Sequence, residues 1–124
     1  RPDFETLWSV CDRYETTGFY PFCLRAEQPF EVEARQFPTH AGYNENAATG
    51  VAACALGVYL TQHAVFGARE DGWHTYRVRQ GYAMGAPSLM IVESFLEKGR
   101  VSQTRVQGKA TIHAEELIEI NSLF

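Results

Sequence analysis

Phe4, Leu7, Trp8, Cys11 and Tyr14 open the chain's first periodic stretch, apolar at spacings of three and four. That spacing lays one apolar stripe along a helix, and Asp3 just ahead of it has the side chain of an N-cap. Gly18 ends this approach and begins an aromatic-rich stretch that runs to Leu24. From Phe30 to Phe37 the period changes to two, with Phe30, Val32 and Ala34 alternating with Glu31, Glu33 and Arg35. A half-buried strand is predicted there, with Arg25 to Pro29 as the loop before it.

The next stretch follows neither period. After the polar run Gly42-Tyr43-Asn44-Glu45-Asn46, the residues from Gly50 to Leu60 carry no charge at all. A helix over Thr49 to His63 would be roughly 22 Å long, with Ala52, Ala53, Cys54, Leu56, Gly57, Val58, Tyr59 and Leu60 on all sides of its wheel. A helix apolar all round has to be enclosed by protein, and its small residues let neighbours approach closely. Beyond it, Gly67 to Gly72 reads as a turn, and Tyr76 and Val78 then alternate with Arg77 and Arg79. Ser88 to Val92 and Arg100 to Val106 predict a hairpin closed around Glu97-Lys98-Gly99. Gly108 marks a bulge or tight turn, followed by strands at Lys109 to His113 and Leu117 to Ile120.

Six or seven strands against two helices make an α+β fold. A flat sheet covers only one side of a helix, so the pattern predicts a strongly curved mixed sheet wrapped around the central apolar helix. No repeat, linker or low-complexity stretch divides the chain, and residues 1–124 are expected to form a single domain with a core that needs no disulfide or metal.

Charge and cysteine content narrow the function. The net charge is −4, and the 11 Lys and Arg residues are scattered. Without a basic stripe, neither nucleic acid nor an anionic membrane is expected as a partner. Cys11, Cys23 and Cys54 lie far apart with no metal-ligand spacing, so they read as buried thiols of a reducing compartment, with no metal. The longest apolar run is short of the ~20 residues of a membrane helix, and no signal pattern opens the chain. A cytoplasmic location is the default. The first residue is Arg1 rather than Met, so the chain is expected to be a piece of something longer.

The candidate chemistry lies where the apolar helix begins. A helix start leaves its first amides unpaired and carries about half a positive charge, a natural site for an anion. Thr49 can cap, and Gly50 has no side chain, so a carboxylate could reach the amides of Gly50, Val51 and Ala52. From spacing alone, a capped core helix that binds nothing is the simpler reading.

The residues around that junction also carry a resemblance. Arg35-Gln36-Phe37-Pro38, Gly42, Glu45-Asn46-Ala47-Ala48-Thr49-Gly50-Val51-Ala52, Leu60, Gln80-Gly81 and Met84-Gly85-Ala86-Pro87-Ser88 occur in that order. The set resembles the carboxy-terminal half of the PhzF-like phenazine-biosynthesis family, relatives of diaminopimelate epimerase. That family reads Arg-Met-Phe-Ala-Pro, Glu-Asp-Pro-Ala-Thr-Gly-Ser-Ala and Gln-Gly-x-x-Met-Gly-Arg-Pro-Ser. The resemblance implies one of two similar lobes, each a curved sheet around a central helix, with the active site between them. It further implies a cofactor-independent isomerase or epimerase that moves a proton on a small carboxylic acid held at the helix's amino terminus. The partner would be the missing amino-terminal lobe or, because the two lobes are alike, a second copy in a two-fold dimer.

The departures bear on catalysis. Asn46 stands at the family's acid/base Asp, and an amide cannot shuttle a proton near neutral pH. Val51 replaces a Ser, Ala47 a Pro and Ala86 an Arg, and the family's principal Glu base belongs to the other lobe. A non-catalytic carboxylate-binding or oligomerisation module therefore stands as the alternative. Glu45 is a candidate substitute base, although a loop Glu more often serves at the surface or as a cap. Arg35 could pair with a carboxylate, or be solvated. His40 is the titratable group beside the loop, His63 suits the helix end, and His74 and His113 have no evident partner. Phe19, Tyr20, Phe22, Tyr76 and Tyr82 read as core or lobe-interface aromatics.

Overall fold

The structure, a computed structural model, describes residues 1–118. Helix α1 spans Phe4–Tyr14. Asp3 caps it, accepting from the Thr6 amide at 3.2 Å and the Thr6 hydroxyl at 2.8 Å. Glu15, left-handed at φ 53°, ends it. The predicted stripe buries Cys11 completely, but Tyr14 at the last turn is 68% exposed, one turn too far to reach anything. The surface under α1 is a two-stranded antiparallel ribbon of β1 (Gly18–Phe19) and β4 (Phe37–Pro38). Trp8 Nε1 donates to Pro38 O at 3.3 Å, and the Phe4 ring meets Phe37 edge-on at 6.0 Å.

The main sheet has five strands in the order β2 (Phe22–Leu24), β3 (Glu31–Ala34), β5 (Gly72–Gln80), β6 (Ser88–Glu97) and β7 (Arg100–Gln107). Only the β3–β5 pair is parallel, so the sheet is mixed. The predicted Phe30 to Phe37 strand is broken after Ala34, where Arg35 donates to Pro21 O and the chain turns off to join the ribbon as β4. The β6–β7 hairpin forms as expected and is longer than its apolar pattern. Lys98 and Gly99 both have positive φ, 50° and 78°, the turn geometry that matches strand twist. Lys109 to His113 forms no strand, and neither do Leu117 and Ile118; Ile120 lies outside the described residues.

Helix α2 spans Gly50–Gln62 and packs across the sheet. Ala53, Leu56 and Leu60 meet Val32, Ala34, Tyr76, Val78, Met90 and Val92 in one core. Gly57 is the point of closest approach, since a Cβ there would lie 3.0 Å from Val92 Cγ2. Its neighbour Thr61 is satisfied inside, its hydroxyl 2.8 Å from Tyr76 OH and donating to Gly57 O at 2.9 Å.

The expectation that α2 is enclosed on every side is corrected by its outer face. Val51 is 85% exposed, Tyr59 48%, and Ala55 between them is exposed as well. Five strands cover one side of the helix, and β2 and β7 are the two free ends of the sheet. Phe22 and Leu24, on the helix side of β2, are left uncovered too. Of the cysteines, Cys11 is buried and Cys54 half-buried, but Cys23 is exposed on β2. No helix among the described residues is long and apolar enough to cross a membrane.

Candidate functional site

The loop from Glu45 to Thr49 is held from three directions before it enters α2. On one side Asn46 pairs with Gln36 in an isolated antiparallel bridge, its amide 3.1 Å from Gln36 O. On another, Gln80 at the end of β5 reaches up from the core. Gln80 is fully buried, and its Nε2 donates to Asn46 O at 2.7 Å and to Thr49 Oγ1 at 3.1 Å. Its Oε1 accepts from Tyr20 OH at 2.6 Å, and burial pushes the Tyr20 phenol far above its ordinary value. From the third side Ser88 Oγ donates to Ala47 O at 2.9 Å. Gly81 makes this close approach possible: its φ is 85°, and a Cβ would stand 2.1 Å from Ala86 O and 2.8 Å from Ala47 O.

This clamp determines what each predicted residue does. Thr49 takes the N-cap backbone position, but its side chain caps nothing, because it is turned to Gln80. The first helical amide to find a partner is that of Ala53, at 3.0 Å from Thr49 O. The amides of Gly50, Val51 and Ala52 have no protein acceptor among the described residues. Val51 and Ala52, with Thr49, line a cavity of about 480 Å³ whose walls are Thr17, Tyr20, Phe22, Gln36, Ala55, Leu56 and Tyr59. No lining side chain is charged. Gly50 faces elsewhere, with Val106 Cγ1 3.5 Å from where its Cβ would be. Its lack of a side chain is therefore not what opens the site.

Asn46 and Glu45 are both occupied. The Asn46 carbonyl oxygen Oδ1 lies 3.5 Å from the Ala48 amide, a local turn that steers the chain toward Thr49. Glu45 is held 2.6 Å from Arg35, whose guanidinium also sits 4.8 Å above the Phe37 ring. Arg35 is thus a structural partner rather than a solvated strand residue. His40 lies 3.0 Å from Asp12 on α1, and His63 caps the far end of α2 beside the Tyr59 ring at 4.4 Å. Among the aromatics Tyr76 is core, Tyr20 is the hydroxyl partner of Gln80, and Phe22 and Tyr82 are exposed.

Tyr20, Gln36 and Gln80 are not marked as site residues by sequence pattern. Gln80 sits in a quoted motif, so its position is visible there while its inward direction is not. Gln36 lines the cavity, and its buried Oε1 has no hydrogen-bond partner. Its signal is a polar side chain where the resembling motif has Met.

Fold and site together define an α+β protein in which Gln36, Asn46, Ala47, Thr49, Gln80 and Ser88, from separate motifs, meet at the amino terminus of one apolar helix. The family model for phenazine biosynthesis-like proteins, PhzC-PhzF, matches residues 1–116, and the chain belongs to that family. No curated protein matches the chain.

Proposed function

We propose that this chain is the carboxy-terminal half of a cofactor-independent isomerase or epimerase that moves a proton on a small carboxylic acid, and that it supplies the carboxylate grip. Membership of the phenazine biosynthesis-like family supports an isomerase- or epimerase-like activity. The observation that carries the finer reading is the unpaired amide trio of Gly50, Val51 and Ala52 beside an uncharged cavity. Such amides, at the positive end of a 13-residue helix, favour an anion over any neutral ligand. The cavity walls then bury the apolar body of the acid.

The proton chemistry is assigned to a second wall. With Glu45 bound to Arg35 and Asn46 turned to Ala48, no free acid or base faces the cavity from the described residues of this chain. A partner lobe or a second copy would bring one. The same two residues favour the alternative of a non-catalytic carboxylate-binding module.

Amide chemical shifts of Val51 and Ala52 test the grip. Small apolar carboxylic acids are expected to move them saturably, and the matching primary amides are expected not to. Gly50→Ala is expected to leave this binding intact, since its new methyl would face Val106. Equal response to acid and amide would end the carboxylate reading. Deuterium uptake from solvent into the bound acid, measured with the second wall present, separates isomerase from binding module.

A further inference from the structure

The face of the sheet turned away from α2 holds a second cavity. Met90 and Val92 of β6 belong to the core under the helix, so Leu89 and Ile91, which alternate with them, point the other way. Both are half-buried, and they floor a cavity of about 940 Å³, near the upper end of the roughly 300–1,000 Å³ of small-molecule sites. Arg77 on β5 and Gln107 on β7 stand in register on either side of Ile91, about 10 Å apart across two strand spacings. Gly108 stays beside β6, a Cβ on it lying 3.8 Å from Leu89 O, and Lys109 follows into the same lining.

The charges around this cavity do not balance. Glu31 meets three guanidiniums, those of Arg25, Arg77 and Arg79, and Arg25 also reaches Glu33. With Lys109, four cations accompany two carboxylates, an excess of about two positive charges on a chain whose net charge is −4. The next carboxylate on this face, Glu93, is matched by Arg105 at 2.6 Å. Arg79 also donates to Tyr82 OH at 2.9 Å. Arg77 gives only its Nε to Glu31, and neither its two terminal nitrogens nor Lys109 Nζ has a protein acceptor among the described residues. Arg77 and Arg79 project from one face of β5 two residues apart, and a further anion relieves the repulsion between such neighbours. A guanidinium fork grips carboxylate or phosphate through two parallel hydrogen bonds, and a lysine adds a point charge.

We propose that this cavity binds a small organic dianion, a phosphate monoester or a dicarboxylate, whose charge is held by Arg77 and Lys109 and whose apolar body rests on Leu89 and Ile91. Ala48, in the loop ahead of α2, borders the cavity, but the charged groups stand on β5 and just after β7. The site is therefore separate from the amide grip at the start of α2, and it does not depend on that reading.

The test is an NMR titration of the full chain with phenyl phosphate and, separately, with phenylsuccinate; benzyl alcohol is the neutral control. At least one dianion is expected to move the methyl signals of Leu89 and Ile91 and the amide signals of Gln107 and Lys109 saturably, and the alcohol is expected to leave them in place. Whichever dianion binds names the oxyanion the site takes. Added salt should weaken the binding, because the charges are partly solvated. Lys109→Gln removes a side chain that holds nothing in the described fold, and it is expected to weaken binding by about threefold to fivefold. Arg77→Lys keeps a cation beside Glu31 but loses the planar fork, and it should weaken binding with the urea midpoint unchanged. No saturable shift with either dianion would overturn the site, as would an equal response to benzyl alcohol or wild-type affinity in both variants. Shifts confined to Val51 and Ala52 would overturn it too, and would give the dianion to the start of α2. Because the two cavities are read by different signals, the amide grip and this site can fail independently.

Discussion

Gln80 has no exposed surface, and its amide serves Asn46, Thr49 and Tyr20 at once. A buried amide that satisfies several groups is costly to remove, because each partner is left desolvated and unpaired. Gln80→Leu keeps the volume roughly constant and removes only the polar contacts. It is expected to cost about 2–4 kcal/mol in urea unfolding and to broaden the amide signals of Asn46 to Thr49. A loss under about 0.5 kcal/mol would mean that water replaces the clamp. This residue is visible in the sequence only as half of a Gln-Gly pair. Periodicity assigns Tyr76 and Val78 to the buried side and, by the same alternation, Gln80; what no local pattern carries is the loop waiting above it, more than thirty residues earlier in the chain.

At the level of elements, ion pairs organise much of the outer face of the sheet, beside a Trp73–Phe95 ring contact at 5.2 Å. Glu31 is buried, and its carboxylate meets Arg79, Arg77 at 3.2 Å and Arg25 at 3.3 Å across β3, β5 and the loop after β2. Hydrogen bonding from Arg79 holds the Glu31 carboxyl below the usual glutamate range despite its burial. On β6, Glu93 is lowered in the same way by Arg105, 2.6 Å away. Both carboxyls have lower values folded than unfolded. Their stabilisation is therefore complete above the unfolded value of about 4.3 and is lost as pH falls through the folded values. The free energy of unfolding is expected to drop steeply below about pH 4.3, and Glu31→Gln should flatten that acid limb. At neutral pH the same substitution should cost about 1–3 kcal/mol, moderated because the arginines remain partly solvated. Alternation placed Glu31 on the polar side of its strand, correctly. That the polar side could bury it was beyond the pattern, because two of the three arginines that cover it, Arg77 and Arg79, come from β5, paired with β3 through a parallel contact 46 and 48 residues away.

Across the whole molecule, one cluster of exposed apolar side chains is the outer face of α2, Val51, Ala55 and Tyr59, with Phe22 and Leu24 of β2 beside it. Tyr82 and Met84, on the short turn after Gly81, which packs against Ala47 just ahead of α2, are exposed as well, and they form the rim at which the proposed second lobe or second copy would meet this chain. Association through that rim predicts a dimer in sedimentation velocity that dissociates on dilution, and Met84→Lys should shift it toward monomer. A chain monomeric at every concentration, with no affinity for an amino-terminal lobe, would refute a two-walled cleft. By itself the sequence determined the Asp3 cap, the two main helices, the β6–β7 hairpin, the absence of charge around the helix start and the family to which those motifs belong. These are properties of neighbouring residues and of their spacing. Only the tertiary structure decided that Thr49 bonds Gln80 instead of capping, that Glu45 is held by Arg35, that Gly50 faces Val106, and that one side of the apolar helix lies bare. Each of those depends on which distant segment stands opposite, and a side chain's direction across such a gap is fixed by the packing of both.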